Sequence, residues 1–208
     1  MEREMPYFKQ PDNTHCFQAC LKMILKYFFP EKDFTFEELD KISDKSKDKW
    51  TWVCAALLEL KKMGLKVKCY SIFDYDDFVK NGTDYIHRAY DKEAAEKNIE
   101  MSDIESEIEN ANKMLDENIF ELRDSTFEEV EKWFKGNYVI ILTVNSRQIN
   151  NESGYAGHFV ILTGFDKNNV YIHDPSIKNG AASRKVDKDL FIKAWCERTK
   201  KNVVLIKK

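Results

Sequence analysis

The 208-residue sequence has no apolar run near the roughly 20 residues that a membrane-spanning helix requires. Its opening, MEREMPYFKQ, lacks the hydrophobic stretch of a secretory signal. Its five cysteines are odd in number, contain no CxxC pair and show no regular spacing. That pattern argues against a disulfide framework and for a reducing cytoplasm. A net charge of −3 supplies no excess of cations for general nucleic-acid binding. Internal repeats and low-complexity tracts are absent, and histidine is scarce, with four in the chain.

What is present is a soluble, globular composition, 43% hydrophobic and 33% charged. The length suits one domain with a sizeable core, or one domain carrying an insertion. The most informative stretch runs from Gln10 to Phe28. A polar loop, Pro11 to His15, leads into Cys16, and from there apolar residues cover nearly every side: Phe17, Ala19, Cys20, Leu21, Met23, Ile24, Leu25, Tyr27 and Phe28. An all-round apolar helix is a buried one. Asn13 or Thr14 is the candidate N-cap, and Pro30 stops the helix. Cys16 then sits in the first turn, where unpaired N–H groups and the positive dipole end favour a thiolate.

Further along, Thr35 with Glu38 forms a capping box, and Trp50 to Met63 carries apolar residues at helical spacing up to Gly64, a C-cap. Leu65 to Ile72 alternates like a half-buried strand. Ser102 with Glu105 and Ser125 with Glu128 are expected to open two more helices. Twelve acids and four bases lie between Asp91 and Asp124, so residues 73–133 read as an acidic helical insertion. It is either a solvated face or a lid or cap that selects substrate, and a cap of this charge would favour basic peptides.

The last third is strand-rich. Tyr138 to Val144 is a continuous apolar run, as in a strand buried on both faces. His158 to Phe165 and Asn169 to His173 form a hairpin around Asp166 to Asn169. Ser183 to Val186 is a further candidate strand, Asp187 caps a helix, and Val203 to Ile206 closes the chain as an expected edge strand. The layout predicts a single α+β domain over 1–208, with a helical N-terminal lobe and a C-terminal antiparallel sheet.

A thiolate nucleophile needs a base, and the base needs an orienting group. His158 opens a strand behind the glycine-flanked loop Gly154 to Gly157. Phe165 and Val170 flank the turn, so His158 and Asp174 fall near the open end of the ladder, within cross-strand or diagonal reach. An Asp there can hold Nδ1 of the ring. Gln10, six residues before Cys16, carries an amide able to donate to an oxyanion.

Gln10, Cys16 and the run GHFVILTGFDKNNVYIHDPS together resemble the papain-like cysteine peptidases. The nearest branch is the double-glycine, bacteriocin-processing leader peptidases and their peptidase-like relatives. The resemblance covers the N-terminal helix, the strand after Gly64 and Tyr138 to Pro175, and does not reach the acidic segment. It implies Cys16 as nucleophile, His158 as general base, Asp174 as orienting residue and Gln10 in the oxyanion hole. The expected substrate is a peptide or protein, with no cofactor and no metal. The chain has His15-Cys16-Phe17 where the family often has Asp-Cys-Gly, and it shows no transporter segment, so leader cleavage for export is not implied.

Three alternatives stand beside this reading. The same thioester could pass its acyl group to an amine. His15, Cys16, Cys20 and His173 are residue types that zinc accepts. The fold could also serve as a non-catalytic peptide-binding module. Cys20, Cys54, Cys69 and Cys196 are expected to be core thiols.

Overall fold

The computed structural model describes residues 2–196 and 200–208. Three helices come first, α1 (Cys16–Phe28), α2 (Phe36–Ile42) and α3 (Cys54–Lys62), then strand β1 (Lys66–Ser71). Helices α4 (Tyr75–Ala89), α5 (Lys92–Met101) and α6 (Ile104–Asp116), strand β2 (Phe120–Leu122) and α7 (Phe127–Lys135) follow. The remainder is β3 (Val139–Asn145), a short α8 (Ser146–Ile149), β4 (Gly157–Phe165), β5 (Asn169–His173), β6 (Arg184–Asp187), α9 (Lys188–Cys196) and β7 (Val203–Lys207).

The strands form one sheet in the order β2-β1-β7-β3-β4-β5-β6, antiparallel except for the β1–β2 pair. Because β3 and β7 are apolar on both faces, helices cover both sides of the sheet. On one face α1 and α3 pack on the sheet residues Val139, Ile141, Ile161, Val204 and Ile206, and α4 to α6 extend the same buried cluster by packing on α3 and on one another. On the other, α7 and α9 pack on Ile140, Leu142, Val160, Leu162, Val203 and Leu205. The α+β expectation holds, now in three layers.

Several local expectations are corrected. Val203 to Ile206 is not an edge strand: β7 lies between β1 and β3, as its four consecutive buried residues require. The caps near 102 and 125 each fall one residue later. Asp103 caps α6 by accepting from Ser106 N, and the capping box of α7 is Thr126 with Glu129. The helix after Trp50 begins only at Cys54, which leaves Trp50 to Val53 as a loop that lines the site. Segment 73–133 is not all helix, since β2 adds a parallel edge to the sheet. Ile86, Ala95, Ala111 and Met114 belong to the same buried cluster as α1.

Candidate active site

Helix α1 is buried along Phe17 to Leu21 and Met23 to Leu25. Its N-cap is His15 rather than Asn13 or Thr14, and the His15 side chain makes no cap hydrogen bond to the first turn. Asp12 instead accepts from Thr14 N and Oγ1, both at 2.8 Å, and pairs with His15 Nδ1 at 2.7 Å. The donors of the first turn are therefore left for Cys16 and whatever binds beside it. The buried Gln18 amide ties this turn to its surroundings, donating to Ser43 Oγ and Thr51 Oγ1, each at 2.8 Å.

His158 opens β4 opposite Val144 of β3. Its Nε2 lies 2.8 Å from Asp174 Oδ1, and both residues are buried. The nitrogen facing the carboxylate is thus Nε2 and not Nδ1, which leaves Nδ1 for the thiol. Asp174 is held on each oxygen. Ser176 donates its hydroxyl (2.5 Å) and its backbone N–H (3.0 Å) to Oδ1, and Arg184 Nη1 donates to Oδ2 at 2.7 Å. Ser176 Oγ is also 3.0 Å from His158 Nε2. Arg184 Nη2 reaches on to Asn150 Oδ1 at 2.7 Å.

Burial alone would push the Cys16 thiol up. The hydrogen bond and charge of His158, with the backbone N–H groups of Phe159 and Phe17, outweigh it and bring the thiol below its ordinary value. Burial alone would push His158 down, but hydrogen bonds to Asp174 and Cys16 raise it, to about 10. Asp174 would likewise be raised by burial, and His158 and Ser176 hold it well below the usual carboxylate range. The combined effect favours thiolate, imidazolium and carboxylate in a row. Cys20, one turn along, behaves oppositely. It is fully buried, its thiol points to Phe159 O at 3.5 Å, and its titration is pushed far up.

Gln10, Cys16 and His158 line one cavity of about 680 Å³, with Asp174 behind the ring. Gln10 N donates to Pro175 O at 2.9 Å, which pins this residue beside the Asp174 loop. Its side-chain oxygen is buried without a partner, so its amide is not committed elsewhere through that atom. The four predicted residues are therefore brought together. The proposed zinc set is not. His173 turns Nε2 to Met5 O (3.1 Å) and accepts Ser183 N at Nδ1 (3.0 Å), while His15 is held between Asp12 and Asp40. Sequence reasoning did not find Ser176, Arg184 or Asn150. Arg184 lies ten residues past Asp174 with no local pattern to mark it, and only the β5–β6 pairing brings it back.

A family model for the Peptidase C39-like family matches residues 2–203. The chain belongs to this family. The match runs across 73–133, where the sequence motifs had not reached. Among solved structures, the chain is similar to a double-glycine motif protease from an AMS/PCAT transporter, crystallised in complex with its leader peptide. Identity is 17% and the TM-score 0.53, over 99% of this chain and 93% of that one. It is similar to the peptidase domain of Streptococcus ComA, a bifunctional ABC transporter of a quorum-sensing pathway, at 15% identity and TM-score 0.52, over 97% and 96%. A protein from Bacillus anthracis described as C39-like matches at 15% identity and TM-score 0.53, over 98% and 94%. The sequence has no match among curated proteins. This C39-like chain thus has the papain-like peptidase fold, and no helix among its described residues is long and apolar enough to cross a membrane.

Proposed function

We propose that the chain is a cysteine peptidase that hydrolyses a peptide or isopeptide amide through Cys16, His158 and Asp174. The observation that carries this is the His158 ring, shared between a lowered thiol and a carboxylate 2.8 Å away. The Cys16 thiolate attacks the amide carbonyl. The Gln10 side-chain amide and the Cys16 backbone N–H stabilise the oxyanion. His158, protonated at Nδ1, gives that proton to the leaving amine and then takes one from water to clear the thioester. Asp174 keeps Nε2 protonated and fixes the ring. Arg184 and Ser176 keep Asp174 ionised and in place, so we read Arg184 as a positioning residue.

Membership of the C39-like family supports a peptide substrate. The expected preference for basic peptides finds little support, since the acids of 91–124 are absent from the cavity lining, where Arg147, Lys178 and Lys200 meet Glu152. Five unpaired cysteines fit a reducing compartment such as the cytoplasm. The deciding experiment is mass spectrometry after treatment with a peptide bearing a thiol-reactive warhead. Wild type is expected to gain one adduct at Cys16 and Cys16→Ala none. An adduct of equal yield on the variant would move the nucleophile elsewhere.

A further inference from the structure

His15 directly precedes the nucleophile, and its backbone differs from that of an ordinary helix cap. Thr35, Asp91 and Thr126 enter their helices from extended backbone, with ψ of 160°, 163° and 159°, the usual N-cap form. His15 has a ψ of 23°. That rotation turns the peptide between residues 15 and 16, and the Cys16 N–H with it, away from the direction an ordinary cap gives it. The carbonyl end of this peptide is tied into the helix, since Ala19 N donates to His15 O at 2.9 Å.

The side chain of His15 is held from two directions. Its Nδ1 lies 2.7 Å from Asp12 Oδ1, on the loop before the helix. Its Nε2 lies 3.2 Å from Asp40 Oδ1 and 3.3 Å from Asp40 Oδ2, on α2. Phe36, also on α2, meets the ring edge-on, with centres 5.9 Å apart and planes at 82°. The loop has little packing of its own to place it. Asn13 and Thr14 border both the Cys16 cavity and a second cavity of about 500 Å³, which His15, Asp40, Lys45 and Asp48 also line. A segment with open space beside it is placed by its polar contacts, and those of this loop converge on Asp12 and the His15 ring.

We infer that His15 is a positioning residue of the oxyanion hole: by bridging Asp12 to Asp40, its ring fixes the rotated peptide so that the Cys16 N–H points to where a carbonyl oxygen gains charge. The inference rests on the peptidase reading and adds a residue to it. His15 touches no reacting atom. It acts through the Cys16 N–H, so its effect is confined to steps that form an oxyanion. Two reactions of the same thiol separate such steps from the rest. With p-nitrophenyl acetate, Cys16 Sγ bonds to the carbonyl carbon, a carbon–oxygen bonding pair moves onto oxygen, and p-nitrophenolate then leaves. With iodoacetamide, Sγ bonds to the methylene carbon as iodide leaves, and no oxyanion forms.

The test measures both rate constants on the full chain, for wild type, His15→Ala and Asp40→Asn, with Cys16→Ala as the blank. In His15→Ala, acylation by the ester is expected to fall about 10- to 100-fold, the scale of a misplaced oxyanion donor, while alkylation stays close to wild type. Asp40→Asn keeps an acceptor but removes a charge from the bridge, and should lose several-fold in acylation alone. Equal loss in both reactions, or no loss in either, overturns the role of His15. Should His15→Ala fail to fold, the ratio of the two rates in Asp40→Asn decides by the same rule. Wild type that is alkylated at Cys16 but is acylated by neither the ester nor peptides removes the peptidase reading itself. Wild type that is acylated, with an unmoved ratio in both variants, removes the bridge alone.

Discussion

His158 and Asp174 meet at 2.8 Å because a bulge puts them on the same face of the sheet. Phe165 pairs with Val170. Continued without interruption, that register would set Ile161 opposite Asp174, and His158 would point to the other face. The pairing slips between Leu162 and Gly164, leaving Thr163 out, and Ile161 pairs with His173 instead. Position 174 then falls opposite Val160, two residues from His158 and on its side. The bulged carbonyl of Thr163 is taken by Arg3 N at 2.7 Å, so the N-terminal segment secures the slip.

Cys16→Ala should abolish both turnover and iodoacetamide labelling near neutral pH, and Cys20→Ala should leave labelling intact. The two thiols share a helix but shift in opposite directions, Cys16 down and Cys20 far up. Peptide mapping of the labelled chain checks this, and equal loss in both variants would refute the assignment of the nucleophile.

The thiolate–imidazolium pair exists above the titration of Cys16 and below that of His158. The profile of kcat/KM against pH should therefore fall on its alkaline side near the His158 value of about 10. Asp174→Ala removes a group that raises His158, so the alkaline limb should move to lower pH. The rate should drop by about 10² to 10⁴, judged from triads that lose their acid. A folded variant with near-normal activity and an unmoved limb would exclude this role for Asp174.

Arg184→Gln frees Asp174 Oδ2 and one side of Asn150 while leaving His158 in place. A loss of about tenfold in kcat is expected, with KM little changed and partial rescue by Arg184→Lys, which restores the charge but not the fork. A variant that loses stability with no change in kcat would reduce Arg184 to a structural part.

Glu107 is buried, and burial pushes it to about 8. The unfolded chain releases that proton near the usual value of about 4.3. Between these values the native state holds a proton that the unfolded state has lost, so stability falls as pH rises through the window. Glu107→Gln keeps an acceptor for Trp52 N–H and removes the ionisation. The variant should gain on the order of 1–3 kcal/mol over wild type at pH 8, with the gap closing near pH 4. Thermal melts across that range check it, and parallel curves would contradict it.

Much was legible without coordinates, because it depends on near neighbours. The apolar run from Phe17 to Leu25 is buried except at Lys22, although Tyr27, expected on the same buried surface, stays 38% exposed; a helix start leaves N–H groups free for a thiolate whatever follows. The turn at Asp166 to Asn169 is set by Asp166 accepting from Asn168 N and Asn169 N. The strand Val203 to Ile206 was legible as a strand, but its place was not: it reads as an edge and lies between β1 and β3.

Other features were settled only by packing across long separations. The extra residue at Thr163 depends on a contact with Arg3. Arg184 reaches Asp174 through strand pairing, and residues 73–107 reach the Cys16 cavity by docking on Trp50 to Val53. Periodicity and capping act over three or four residues, so they fix which elements form and which faces are apolar. They carry no information about a one-residue slip or a partner a hundred residues away, where the buried area and hydrogen bonds of the whole fold decide.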